Sequence, residues 1–188
     1  MMSPIFDRCI FGSLARITDL SARPFEIEPR VPSEWDTGDY VVGIVTDTSG
    51  YRAIELPSGR NMEVAEGDAV VGAFGTRHAT LEMTGSWREI GDDQLMHALT
   101  RAGLFGHVES RSTLVQPPLE LRYHGHVCRD ATKVTMAGAV PPVDEQPYTT
   151  PTILFAGTSM SAGKTTAARI VTRRLKRMGL DVLGAKVS

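Results

Sequence analysis

Residues Phe155-Ala-Gly-Thr-Ser-Met-Ser-Ala-Gly-Lys-Thr-Thr166 combine the parts needed to hold a chain of phosphates. Phosphates are bound by backbone N–H groups that curl around them, by a helix N-terminus and by one lysine, and small residues let the backbone come close. Gly157, Thr158, Ser159, Met160, Ser161, Ala162 and Gly163 would form the cradle. Lys164 is placed to reach the β- and γ-phosphates, and Thr165 to give its hydroxyl to Mg2+. The N–H of Thr166 would point at the α-phosphate. The standard spacing puts four residues between the glycines, whereas five stand between Gly157 and Gly163.

Two elements must position that loop. Thr152-Ile-Leu-Phe-Ala156 is a short apolar run suited to a buried parallel strand. From about Lys164 to Met178 the chain has helical periodicity, with Ala167, Ala168, Ile170, Val171, Leu175 and Met178 on an apolar stripe and Gly179 as the stop. Arg169, Arg173, Arg174, Lys176 and Arg177 make the rest of this helix basic; a solvated face whose late cations favour the helix dipole is the expected reading, and a nucleic-acid surface the alternative. Leu180-Asp-Val-Leu-Gly-Ala-Lys-Val187 reads as a second strand.

The loop resembles those of dethiobiotin synthetase and the cobyrinic-acid synthases, which read Gly-Thr-x-x-x-x-Gly-Lys-Thr. Gly157-Thr158 and Gly163-Lys164-Thr165 carry the match. These families belong to the SIMIBI class of P-loop proteins, with the partitioning ATPases and metal-insertion GTPases. No early signature lysine lies between Gly157 and Gly163, unlike the partitioning branch. The resemblance covers only the stretch from about Thr152 onward. It implies ATP as ligand, with GTP as the alternative, and Mg2+ as cofactor. It also places Lys186 at the end of the second strand, beside the phosphates, where a lysine could steady a transferring phosphoryl group. In that family a proline follows this lysine; here Val187 does. Lys164 and Lys186 are thus the candidate catalytic residues.

The resemblance implies an enzyme that phosphorylates a carboxylate or carbamate and lets an amine close on it. Two other readings stay open. One is a nucleotide-dependent switch or metallochaperone of the same class. The other is a non-catalytic β binding module with a vestigial loop. A complete doubly wound domain needs further strands and a second magnesium acid, and the only acid after the loop is Asp181. The sequence therefore reads as the N-terminal portion of a longer protein. The alternative is a homo-oligomer whose sheet another chain completes.

Ala139-Val-Pro-Pro-Val-Asp-Glu-Gln-Pro-Tyr-Thr-Thr-Pro151 breaks both helix and strand. The expected organisation is a β-rich domain over 1–140, a Pro-rich linker over 141–151, and the start of a P-loop domain over 152–188. The expected fold class is an α/β, Rossmann-like P-loop start, incomplete within these residues, preceded by a mainly β barrel or sandwich. In the first domain, Tyr40–Thr46, Tyr51–Leu56 and Ala69–Phe74 read as strands, and Leu119–Cys128 with Lys133–Met136 as a late hairpin. Gly38-Asp-Tyr-Val-Val-Gly43 recurs as Gly67-Asp-Ala-Val-Val-Gly72, a duplicated unit or repeated turn chemistry. A helix is expected after Asp92 or Asp93, with Leu95, Met96, Leu99 and Ala102 on one face and Gly103 as its stop. His124, His126 and Cys128 alternate and would share a strand face, but a closed zinc site needs a fourth ligand.

A net charge of -2 argues against nucleic acid as a default partner. Two distant cysteines, no leader-like N-terminus and no apolar run long enough to span a bilayer point to a cytoplasmic protein without a membrane partner. The expected partners are a nucleotide and a small-molecule substrate that the sequence does not identify.

Overall fold

The computed structural model describes residues 9–79, 81–142, 147, 149–157 and 162–185. The chain divides into two units, Met1–Val143 and Asp144–Ser188.

In the first unit the strands are, in chain order, β1 (Ile10–Phe11), β2 (Glu26–Glu28), β3 (Tyr40–Asp47), β4 (Ala53–Glu55), β5 (Asn61–Glu63) and β6 (Ala69–Phe74). They continue with β7 (Thr76–Ala79), β8 (Met83–Ser86), β9 (Leu95–Thr100), β10 (Leu104–Arg111), β11 (Glu120–Arg129) and β12 (Thr132–Lys133). One short helix, α1 (Met136–Ala139), follows. Five strands close on themselves in the order β6-β3-β11-β9-β10. Four of the five contacts are antiparallel. The ring closes where β10 returns to β6 in parallel, Leu104 against Ala73 and Phe105 against Phe74. Closure removes the exposed edges that an open sheet of this size would carry.

β3 and β6 are apolar at almost every position because both of their faces are covered. Val41, Val45, Val70 and Phe74 join Met96, Phe105 and Leu121 in one core. The alternate residues Tyr40, Val42, Ala69 and Val71 join a second core with Ala15, Leu20 and Phe25. Period-2 alternation sends successive side chains to opposite faces, so a strand with a core on each face is a continuous apolar run.

The repeated hexapeptide is a repeated turn. Gly38 and Gly67 have φ of 84° and 88°, the third-position conformation of a type II turn that glycine adopts without strain. The turns close through Asp39 N–H to Asp36 O and Asp68 N–H to Ala65 O. The following strands then pair about a local two-fold. Gly38 N–H donates to Phe74 O, and the equivalent Gly67 N–H donates to Val45 O; Phe74 N–H donates to Asp39 O, and Val45 N–H to Asp68 O.

The helix expected after Asp92 is instead a turn and strand β9. Met96 and Ala98 face the core, and Met96 pairs with Leu121 of β11. The spacing of Leu95, Met96 and Leu99 fits both periods, and two strand neighbours satisfy the backbone. The late hairpin is β11–β12, turned by Asp130 and Ala131, both with positive φ.

The second unit corrects the expected fold class. The described residues contain one helix there, α2 (Lys164–Arg177), and no strand at Thr152–Ala156 or at 180–185. No α/β, Rossmann-like start is formed among the described residues. Ile153, Leu154 and Leu183 are largely exposed. A parallel strand needs at least one neighbouring strand to satisfy its backbone and helices to cover its faces. No backbone ladder reaches these apolar runs among the described residues.

Candidate functional site

The second unit contains one helix among the described residues, and its start is uncapped. Gly163 is the N-cap of α2, with φ 81° and ψ 4°, and its carbonyl accepts from Ala167 N–H at 2.9 Å. No side chain caps the helix, and its first turn has no acid. Its leading N–H groups and the positive end of its dipole are therefore available to an anion. At the far end Gly179 (φ 84°) completes a Schellman motif: Leu180 N–H donates to Leu175 O, and Gly179 N–H to Lys176 O.

Gly157, Ala162 and Lys164 come together. A Cβ on Gly157 would stand 3.0 Å from Lys164 Cδ, 3.1 Å from its Cγ and 3.4 Å from Ala162 Cβ. The lysine stem thus lies back across the glycine. Lys164 is half-buried, while Ala162, Gly163, Thr165 and Thr166 are exposed. Thr158, Ser159, Met160, Ser161 and Lys186 lie outside the described residues. Thr165, the expected Mg2+ ligand, is the second residue of α2. No group of three or more His, Cys, Asp or Glu residues among the described residues could hold a metal.

The first unit contains a polar cluster that residue spacing does not reveal. Asp39 and His126 are almost completely buried. His126 Nε2 lies 3.1 Å from Asp39 Oδ2, and its Nδ1 lies 2.6 Å from Tyr123 Oη. An ionised carboxylate only accepts, so Nε2 donates to Asp39, while Nδ1 shares a hydrogen bond with the tyrosine hydroxyl. Tyr123 Oη in turn accepts from Arg30 N–H at 3.0 Å. Lys133 Nζ reaches Asp39 Oδ2 at 2.6 Å and Glu34 O at 2.5 Å. Burial alone would raise the Asp39 pKa, but hydrogen bonds from His126, Lys133 and the Asp36 N–H outweigh it and hold the carboxyl below its usual range. Burial pushes Tyr123 up to about 12. Every hydrogen-bonding atom of the His126 ring is engaged, so the cluster acts as a structural tie.

The expected alternation of His124, His126 and Cys128 is broken by an irregularity in β11 between Tyr123 and Gly125. His124 is exposed, whereas His126 and Cys128 are buried. Burial raises the Cys128 thiol, and raises Cys9 to about 11, so neither is a thiolate near neutral pH. A groove of about 590 Å3 is lined by Asp19, Arg129, Lys133 and Thr135 among others. Its two cations are already paired with Asp19 and Asp39.

Comparison with protein-family models, with curated proteins and with solved structures found no match. No helix among the described residues is long and apolar enough to cross a membrane.

Proposed function

We propose that residues 157–166 bind the phosphates of a nucleotide, with ATP as the ligand and Mg2+ as its companion ion. The observation that carries this reading is the Lys164 stem folded across Gly157 at an uncapped helix start. A lysine extending outward from α2 would place its ammonium away from anything bound by the loop. Folded back, it can meet the same anion as the helix N–H groups. The αL backbone at Gly163 turns the chain into the helix without strain.

The reaction is proposed from the loop's resemblance to dethiobiotin synthetase and the cobyrinic-acid synthases: transfer of a phosphoryl group to a carboxylate or carbamate, followed by amine attack. In it Lys164 would offset charge on the transferring group, and Thr165 would hold Mg2+. Lys186 would act from beside the phosphates.

Titration of the protein with ATP and GTP, with and without Mg2+, tests the binding step. Lys164→Ala removes one charge-assisted contact, usually about 1.5–3 kcal/mol, so affinity should fall roughly 10- to 100-fold. Equal, weak binding by the wild type and the variant would refute the phosphate site.

A further inference from the structure

The near-zero net charge conceals a division along the chain. Of 20 Lys and Arg and 22 Asp and Glu, residues 152–188 hold seven basic residues and one acid. That segment is near +6, and the residues before it are near −8. Most of the positive charge lies on one helix. Arg169, Arg173, Arg174, Lys176 and Arg177 are all exposed on α2, which contains no acid. None of the ion pairs among the described residues involves them.

Helical geometry gathers four of them. At about 100° per residue, Arg169, Arg173, Lys176 and Arg177 fall within an arc of roughly 100° and span about 12 Å of axis. The half-buried Lys164, Ala167, Ala168, Val171 and Leu175 lie on the opposite side. Like charges at i, i+4 destabilise an isolated helix by a few tenths of a kcal/mol each. The last-turn cations are accounted for by the dipole, whereas Arg169 and Arg173 stand before the final turn.

We propose that this face of α2 binds the phosphodiester backbone of a nucleic acid, without reading sequence. A nucleic-acid strand offers a negative charge about every 3.4 Å, so a 12 Å stripe meets three or four phosphates. Three of the four side chains are arginine, whose planar fork matches phosphate oxygens in pairs. A bilayer is the poorer fit. The helix has no aromatic residue, and apart from Ile170 its apolar residues lie on the side away from the cations. The surface is distinct from the Gly157–Lys164 site and does not depend on it.

The test uses the full chain and a fluorescein-labelled 20-nucleotide oligo(dT), read by anisotropy. With about four phosphates neutralised, raising KCl from 50 to 200 mM should weaken binding roughly 50-fold. A variant carrying Arg169→Gln, Arg173→Gln, Lys176→Gln and Arg177→Gln should bind at least ten times more weakly while keeping its far-ultraviolet helix signal. Replacing the three arginines by lysine should keep most of the affinity. No binding at 50 mM KCl would overturn the proposal. So would unchanged binding by the glutamine variant, or equal binding to polyglutamate or phosphatidylserine vesicles.

Discussion

Asp39 and Asp68 make the same turn twice and then diverge in environment. Each carboxylate accepts the N–H three residues earlier, from Asp36 and from Ala65, both at 2.8 Å. Asp68 does little more than close its turn at a half-exposed position. Asp39 is buried and also gathers His126 and Lys133. Asparagine can accept the turn N–H in either place. Asp68→Asn is therefore expected to change stability by less than about 0.5 kcal/mol. Asp39→Asn leaves Lys133 and His126 facing a neutral group and should cost about 3 kcal/mol or more. Urea unfolding of the two variants, compared at constant m-value, checks the contrast.

The same carboxylate gives the protein an acid limb. A group whose folded pKa lies below its unfolded value, about 3.9 for aspartate, stabilises the fold above that value. The contribution disappears as pH falls through the folded pKa. Wild-type stability should thus decline below about pH 4, and Asp39→Asn should flatten the decline. Asp19, lowered by its hydrogen bond from Arg129, and Asp47, lowered by Ser49, will leave a residual slope. An equal slope in both proteins between pH 5 and 2 would remove Asp39 as its source.

Tyr40 and Tyr123 act at the other end of the scale. Burial pushes both phenols up to about 12. In the unfolded chain they lose their protons near pH 10. Between about pH 10 and 12 the unfolded state therefore binds fewer protons, and stability must fall with rising pH. Ultraviolet titration of phenolate should show these two ionising late, together with unfolding. Tyr123→Phe also strands His126 Nδ1 and Arg30 N–H, at a cost of about 1–3 kcal/mol.

Sequence periodicity reveals β3 and β6 because each is apolar throughout, and the Gly-Asp dipeptides mark the turns that precede them. The cluster beneath is hidden. Asp39 and His126 are 87 positions apart, and only the antiparallel pairing of β3 with β11 brings them together. The helix assigned to Asp92–Gly103 fails because short apolar runs carry both periods, and neighbouring strands decide between them. The second unit errs in the opposite direction. Thr152–Ala156 has strand composition, but composition cannot supply the neighbours that a parallel ladder requires. The approach of Gly157, Ala162 and Lys164 is local, within eight residues, and so lies within reach of a reading of the sequence alone.

The barrel seam depends on glycines that have no catalytic reading. Where β6 meets the β9–β10 turn, a Cβ on Gly72 would lie 2.5 Å from Phe105 Cε2 and closer still to the Gly103 carbonyl. Gly103, at φ 89°, would carry a Cβ 3.4 Å from Gly72 Cα. That carbonyl also accepts Ala73 N–H at 2.8 Å, so it cannot withdraw without breaking the ladder. Gly72→Ala should cost about 1–3 kcal/mol or more, as overpacking does. A thermal midpoint unchanged from wild type would show that the seam can relax.

Gly157 offers the sharpest separation between binding and stability. Adding a Cβ there puts it 3.0–3.1 Å from the Lys164 stem, tight enough that the side chain must shift. A larger residue moves it further. Gly157→Val should therefore displace the ammonium from the anion position and weaken ATP binding roughly 10- to 100-fold, like Lys164→Ala. The core residues of the first unit are remote in sequence and belong to separate apolar clusters, so unfolding of that unit should be unchanged. Isothermal titration with MgATP, paired with denaturant unfolding monitored through Trp35 and Trp87, measures both. Wild-type affinity in Gly157→Val would mean that the folded-back lysine does not serve the phosphates.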